Sequence, residues 1–264
     1  MANRVRLFLW CLLLPLLRHG GQVLSPLPVR VLPYDQCERP TGSRTVHFAR
    51  HGQAEHNVAL AQGRSAPQHV DSRLTKCGEE QAAGIARTLE KDADWPDIVL
   101  TSPLRRCLRT ALLAFRPKVG CVLALEELRE LVSASPHNSR RPVEELKMEF
   151  PQVDFSRIST THDGVWHQDM DRESRQSCAK RARRFLRRIH AEEPICSAAK
   201  LAASLDGSMG GHGSFKGPGP VGRPGANPIL TYPKDAPLFE RNFRTWWSQG
   251  ELRSVALQPT WSSS

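Results

Sequence analysis

The period of apolar and polar positions changes several times along the chain. Residues 45–49 form a short strand-like run that ends at Arg50-His51-Gly52. Thr75, whose hydroxyl suits an N-cap, predicts a helix over 76–91. Residues 97–101 are again strand-like. Ser102-Pro103 then opens a helix running to about Phe115, with proline in the first turn, where its missing N–H costs nothing. A third strand is predicted over 119–125. This β-α-β-α-β order predicts an α/β fold, a three-layer α/β/α sandwich on a parallel or mixed sheet. Residues 174–190 read as an amphipathic helix, with Ala182, Phe185, Leu186 and Ile189 at i, i+3, i+4 and i+7, and 251–257 as a last strand.

The remaining stretches divide the chain. In 1–25, Arg4 and Arg6 precede an apolar run over 7–17 that only Pro15 interrupts. Crossing a bilayer takes about 20 apolar residues, so no stable membrane span is expected. The run has the length of a signal-peptide core, which implies the secretory pathway or secretion. An organelle leader, a signal anchor and a buried N-terminal strand or helix are the alternatives. Residues 26–43 are a Pro-rich linker, 44–257 the folded domain and 258–264 a tail. Within the domain, 207–228 contain eight Gly and four Pro, and are expected to be a flexible insertion.

Lys plus Arg number 37 and Asp plus Glu 27, for a net charge of +10, which permits nucleic acid, anionic lipid or phosphorylated partners. With 39% apolar and 24% charged residues, whole-chain disorder and a multi-span membrane protein are excluded. Much of the excess sits in one helix, at Lys180, Arg181, Arg183, Arg184, Arg187 and Arg188. No aromatic platform interleaves with these charges, so they read as a solvated helix face and no nucleic acid partner is expected. Seven cysteines form no C-x-x-C pair, and His47, His51, His56 and His69 fall in no H-E-x-x-H pattern. No metal and no cofactor is predicted.

The chemistry concentrates at Arg50-His51-Gly52. A strand delivers this triplet at its carboxyl end, where open α/β sheets bind ligands. An imidazole can act as a nucleophile, a guanidinium fork suits phosphate oxygens, and glycine admits a close backbone. A second copy, Arg18-His19-Gly20, lies in the leader and carries no such context. The first copy is followed by Leu74-Thr75-x-x-Gly78-x-x-Gln81-Ala82 and then by Ser102-x-Leu104-x-Arg106-x-x-x-Thr110-Ala111. Together these motifs resemble the histidine phosphatase superfamily, also called phosphoglycerate-mutase-like. Glu149-Phe-Pro-Gln-Val-Asp-Phe-Ser156, Asp163-Gly-Val-Trp166 and Glu251-Leu-Arg-Ser254 look like a fungal and plant-type subgroup of it.

The resemblance implies a metal-independent phosphatase acting on a phosphorylated small molecule or protein. His51 would be the nucleophile that becomes phosphohistidine, with Arg50 and Arg106 holding phosphate and Asn57 beside the pocket. The motif spacing selects Arg106; Arg105 and Arg109 read as a solvated helix face. Glu130, in Leu128-Arg129-Glu130, would be the proton donor, with Glu126 and Glu127 as competitors. The family's second catalytic histidine ends an apolar strand. Here His212-Gly-Ser-Phe215 matches that ending, with His190 a weaker candidate, and no β-branched strand precedes it, so the central sheet is expected to be incomplete. Phe155 and Trp166 read as packing residues. A catalytically impaired, phosphate-ligand-binding relative and a phosphoglycerate-type mutase are the competing functions.

Overall fold

The computed structural model describes residues 5–7, 29–32, 44–64, 69–92, 95–96, 98–115, 119–130, 132–167, 170–190, 249–250 and 252–259. The Gly/Pro-rich stretch 207–228, His212 and the Arg18-His19-Gly20 copy lie outside the described residues. The expected elements are present: β3 (Arg44–Ala49), α2 (Lys76–Asp92), β4 (Ile98–Thr101), α3 (Arg105–Phe115), β5 (Val122–Ala124), α5 (Arg175–His190) and β7 (Leu252–Pro259). Others carry no strong local pattern: β1 (Val5–Leu7), β2 (Val29–Leu32) inside the Pro-rich linker, α1 (Glu55–Ala61), α4 (Val143–Glu149) and β6 (Val153–Asp154).

The architecture is α/β. One sheet runs β1-β4-β5-β6 with every pairing parallel; a second runs β2-β7-β3 with both pairings antiparallel. The strand that carries Arg50-His51-Gly52 is therefore not hydrogen-bonded to β4, the next strand of the β-α-β series; its ladder partner is β7. β4 and β5 are buried along their whole length, which is why they read as unbroken apolar runs. The core joins Ile85 and Leu89 of α2, Leu108, Ala111 and Phe115 of α3, Val99, Val122 and Ala124 of the sheet, and Phe155. Each large apolar side chain there contributes about 1.5–3 kcal/mol by leaving water. Phe155 thus packs as expected.

β1 falls within the segment expected to be a leader. Val5, Arg6 and Leu7 pair with Ile98, Val99 and Leu100, and the strand also lies close to β3. It covers the edge of β4, whose N–H and C=O groups would otherwise lack ladder partners.

The loop after β3 is held by both downstream motifs. Gly52 N donates to Thr110 Oγ1 (3.1 Å), and Thr110 Oγ1 donates to Arg106 O (2.7 Å). Gln53 N donates to Gln81 Oε1 (2.8 Å), and Thr75 N to Gln53 O (2.9 Å). Thr75 also caps α2 as predicted, its Oγ1 accepting from Gly78 N (3.1 Å). A Cβ on Gly52 would stand 2.1 Å from Gly78 O, and one on Gly78 would stand 2.0 Å from Gln53 O. Two backbones thus touch where each motif carries its glycine.

Two outcomes follow for stability. Gly78→Ala is expected to cost about 3 kcal/mol, because backbone rather than a flexible side chain must give way; urea unfolding would measure it, and a loss below ~1 kcal/mol would contradict the contact. Deleting residues 1–25 removes β1 from β4 and should lower the thermal midpoint by ~5 °C, as expected for roughly 2 kcal/mol in a chain of this size. An unchanged midpoint would show that β1 does not hold that edge.

Candidate active site

His51 is buried at the end of β3, 4% exposed. Its Nδ1 lies 2.7 Å from Gly52 O. A carbonyl can only accept, so Nδ1 carries the proton and Nε2 keeps its lone pair. Burial, then the Arg106 charge, holds this imidazole well below its ordinary range, so it is neutral and nucleophilic at neutral pH. The His51 carbonyl accepts from Gly250 N (3.3 Å), which ties the start of β7 to the same point. The nearby Cys107 thiol is pushed up to about 11 by burial and is no competing nucleophile.

Arg106 is only 1% exposed. Nη1 donates to His137 O (2.7 Å), and Nη2 donates to Glu130 Oε2 (3.2 Å) and Asn138 Oδ1 (3.3 Å). Its Nε is buried and has no hydrogen-bond partner among the described residues. An open buried donor on a cation costs about 1–3 kcal/mol, which an anionic oxygen would relieve. Arg50, half-buried, adds a second positive charge near His51. Asp71 anchors the first turn of α3, accepting from Arg105 N (2.9 Å) and Arg141 N (3.3 Å). Its φ of 44° lies in the left-handed region, which aspartate tolerates better than most residues.

The loop that presents Glu130 is fixed from behind. Arg129 donates to both Asp163 oxygens (2.7 and 2.9 Å), to Glu126 and to Asn138 O. Arg140, buried, bonds Glu126 (2.6 Å) and the carbonyls of Thr160, Thr161 and His162. Arg181 of α5 donates to the carbonyls of Glu127 and Arg129 (both 2.8 Å) and pairs with Glu173 (2.6 Å). Arg181 was expected on a solvated face and instead clamps this loop; Lys180 and Arg184 are exposed as expected. Arg105 is likewise not solvated: it is 7% exposed and binds Glu149 through two bonds, whereas Arg109 is exposed and pairs with Glu79.

Arg50 and Arg106 thus bring their charges near His51, and Arg106 joins Glu130 to the same cluster. Asn57 stands beside it with its amide engaged: Oδ1 accepts from Ala54 N and Nδ2 donates to His56 Nε2 (both 2.9 Å). It caps α1 and orients His56, whose ring centroid is 6.2 Å from that of His51. Glu126 is committed to Arg129 and Arg140. Trp166 is half-buried and its backbone N–H donates to Asp163 Oδ1 (3.0 Å). His56 was weighed only as a metal ligand, and His137 and Asn138 escaped the sequence reading; the only signal for the last two was their place shortly after the Leu-Arg-Glu triplet. Among the described residues no set of three metal-ligating side chains is gathered, and no helix is long and apolar enough to cross a membrane.

Three imidazoles around Arg106 titrate below the ordinary 6.5. Burial and then Arg106 pull down His51, His56 and His137, the last to about 4. The unfolded chain takes up these protons as pH falls through 6.5 and the folded chain does not, so stability is lost on acidification from 6.5 toward 4. Asp71 acts in the opposite sense. Burial raises its carboxyl from 3.8 to about 6, so within that window the folded chain keeps a proton that the unfolded chain has released. One such group offsets part of three. Calorimetry across this range should show a falling midpoint; a flat or rising one would contradict the desolvated imidazoles.

The family model for the histidine phosphatase superfamily (branch 1) matches residues 46–197. A phosphoglycerate mutase-like protein of Arabidopsis thaliana is 31% identical over 183 residues, covering 55% of this chain and 66% of its own length. Phosphoglycerate mutase-like protein 1 of the same plant is 26% identical over 176 residues, covering 54% and 62%. The chain thus spans a little under two thirds of the length of the curated relatives it matches. Among solved structures, the ecdysone phosphate phosphatase from Bombix mori is 18% identical, with 69% of this chain and 85% of that one covered at a TM-score of 0.40. With more than half of its length matched by the family model, and with the motifs that carry the match meeting at His51, the chain belongs to the histidine phosphatase superfamily, branch 1.

Proposed function

We propose that the chain is a metal-independent phosphatase that hydrolyses a phosphate ester through a phosphohistidine at His51. The observation that carries this is the tautomer of His51. Its proton is committed to Gly52 O, which leaves Nε2 as an attacking lone pair beside a buried arginine with an open donor. A phosphate dianion entering the pocket is drawn by Arg106 and Arg50. His51 Nε2 attacks phosphorus, the ester P–O bond breaks, and the charge that develops on the phosphoryl oxygens faces the guanidinium groups.

The leaving oxygen needs a proton, and Glu130 is the carboxyl at the rim, 35% exposed and joined to Arg106. The incoming dianion competes with Glu130 for Arg106. In the second half-reaction Glu130 takes a proton from water, the oxygen attacks the phosphohistidine, and inorganic phosphate leaves. The substrate is a phosphorylated small molecule or protein.

The test is turnover of p-nitrophenyl phosphate in the presence of a chelator, with trapping of a base-stable, acid-labile phosphoenzyme. His51→Ala should abolish the trapped species and lower turnover by roughly a thousandfold or more, and Arg106→Ala should lower it by about a hundredfold. If wild type and His51→Ala turn over alike, the phosphatase assignment fails. A wild type that binds oxyanions without turnover would instead make the chain a phosphate-ligand-binding relative.

A further inference from the structure

His137 is an imidazole beside Arg106 that the proposed reaction leaves unused. It sits in the short 3-10 turn Pro136–Asn138, which is pinned to the phosphate-holding arginine twice: Arg106 donates to His137 O (2.7 Å) and to Asn138 Oδ1 (3.3 Å). Its half-buried ring stacks on His56, with centroids 4.3 Å apart and planes inclined by 4°. His56 in turn lies 6.2 Å from His51. Two short ring-to-ring steps therefore lead from the nucleophile to His137.

The three rings differ in what their nitrogens are doing. His51 gives Nδ1–H to Gly52 O and keeps Nε2 for attack. In His56 both nitrogens are engaged: Nε2 accepts from Asn57 (2.9 Å), so Nδ1–H donates to Ser72 Oγ (2.6 Å). Protonating His56 would break the Asn57 bond. Neither nitrogen of His137 has a hydrogen-bond partner among the described residues, so this ring can gain a proton without breaking a hydrogen bond, as His56 cannot, and without giving up the attacking lone pair, as His51 would.

Building on the phosphatase reading, we propose that His137 contacts the phosphoryl group of the bound substrate and takes up one proton from solvent as the dianion enters. The groups facing it are Arg106 from α3, Glu130 from the loop after β5, His56 and His51 from the β3–α1 segment, and His69. In the ligand-free pocket, burial and the Arg106 charge hold the ring neutral, with Glu130 pulling the other way. A phosphate dianion reverses that balance by placing negative charge against Arg106. The protonated ring then adds a charge-assisted donor to the phosphate, and its stack on neutral His56 sets a cation over an aromatic face. His137 thereby supplies a third cation, beside Arg50 and Arg106, only when substrate is present.

Tungstate, which stays doubly charged through the range where imidazoles titrate, is the probe. It is titrated calorimetrically into the full chain in buffers of different protonation enthalpy, alongside p-nitrophenyl phosphate kinetics. Wild type should bind tungstate with uptake of close to one proton. His137→Asn should bind about tenfold more weakly without uptake, and its KM should rise about tenfold while the phosphoenzyme still forms. His137→Phe keeps an aromatic ring on His56 and should behave like His137→Asn. If His137→Phe binds tungstate as tightly as wild type and with the same uptake, the ring only packs and the proposal is overturned. A wild type that binds tungstate with His137-dependent uptake but does not turn over sinks the phosphatase assignment and leaves this contact standing. Failure of wild type to bind tungstate sinks both.

Discussion

Everything at the site depends on one close approach, the backbone of Gly52-Gln53 against that of Gly78. No side chain fits between them, since a Cβ on either glycine would fall near 2 Å from a carbonyl oxygen of the other segment. That contact sets the first turn of α2 against the loop that follows β3. Gln81 and Thr110 then accept the two successive N–H groups of that loop, at 2.8 and 3.1 Å. The loop has little freedom left, and its carbonyl at Gly52 is aimed at His51 Nδ1. The tautomer of His51 is thus a consequence of the packing of Gly52 against the first turn of α2. The three motifs of this chain are parts of one clamp.

The clamp explains which parts of the molecule were legible from residues alone. Thr75, Gly78, Gln81, Arg106 and Thr110 act within the first two turns of a helix or at its cap, so their spacing survives as a linear pattern. α2 and α3 were visible because their apolar positions face a shared core, with Ile85, Leu89, Leu108 and Phe115 buried in it. The pairing of β3 with β7 was not visible, because antiparallel and parallel partners read alike when a strand is short and buried. β1 was ambiguous for a similar reason: a run of apolar residues serves a leader, an anchor or a strand equally well. The positions of Arg105 and Arg181 were misjudged because their partners lie far away in sequence. Glu149 is 44 residues from Arg105, and the Glu127 carbonyl is 54 residues from Arg181. Helical periodicity says which face a residue is on; it says nothing about what another segment brings to that face.

The acid side of the site rests on a different principle. Arg106 is a buried cation, and a cation out of water is tolerated only with enough acceptors around it. The His137 carbonyl, Asn138 and Glu130 satisfy two of its nitrogens, and Nε stays open. The buried guanidinium therefore keeps one donor open. Under the proposed reaction, Glu130 is held by the same guanidinium that phosphate would need, which would couple binding and proton supply through one residue. Arg129, Arg140 and Arg181 keep the loop that bears Glu130 from following its side chain when Arg106 changes partner.

This also changes the meaning of the charge excess. A net +10 suggests a polyanionic partner only if the positive groups face solvent. Arg105, Arg106, Arg129 and Arg140 are each below 8% exposed, and Arg181 is half-buried on backbone carbonyls. Their carboxylate partners Glu126, Glu149, Asp163 and Glu173 are fixed beside them. These arginines organise loops and one anion pocket rather than a surface field. A guanidinium has five donors in a plane and no need to shed its proton, so it can join two or three segments at once where lysine would join one. These buried arginines, each matched to carboxylates or carbonyls, hold together the loops around Arg106.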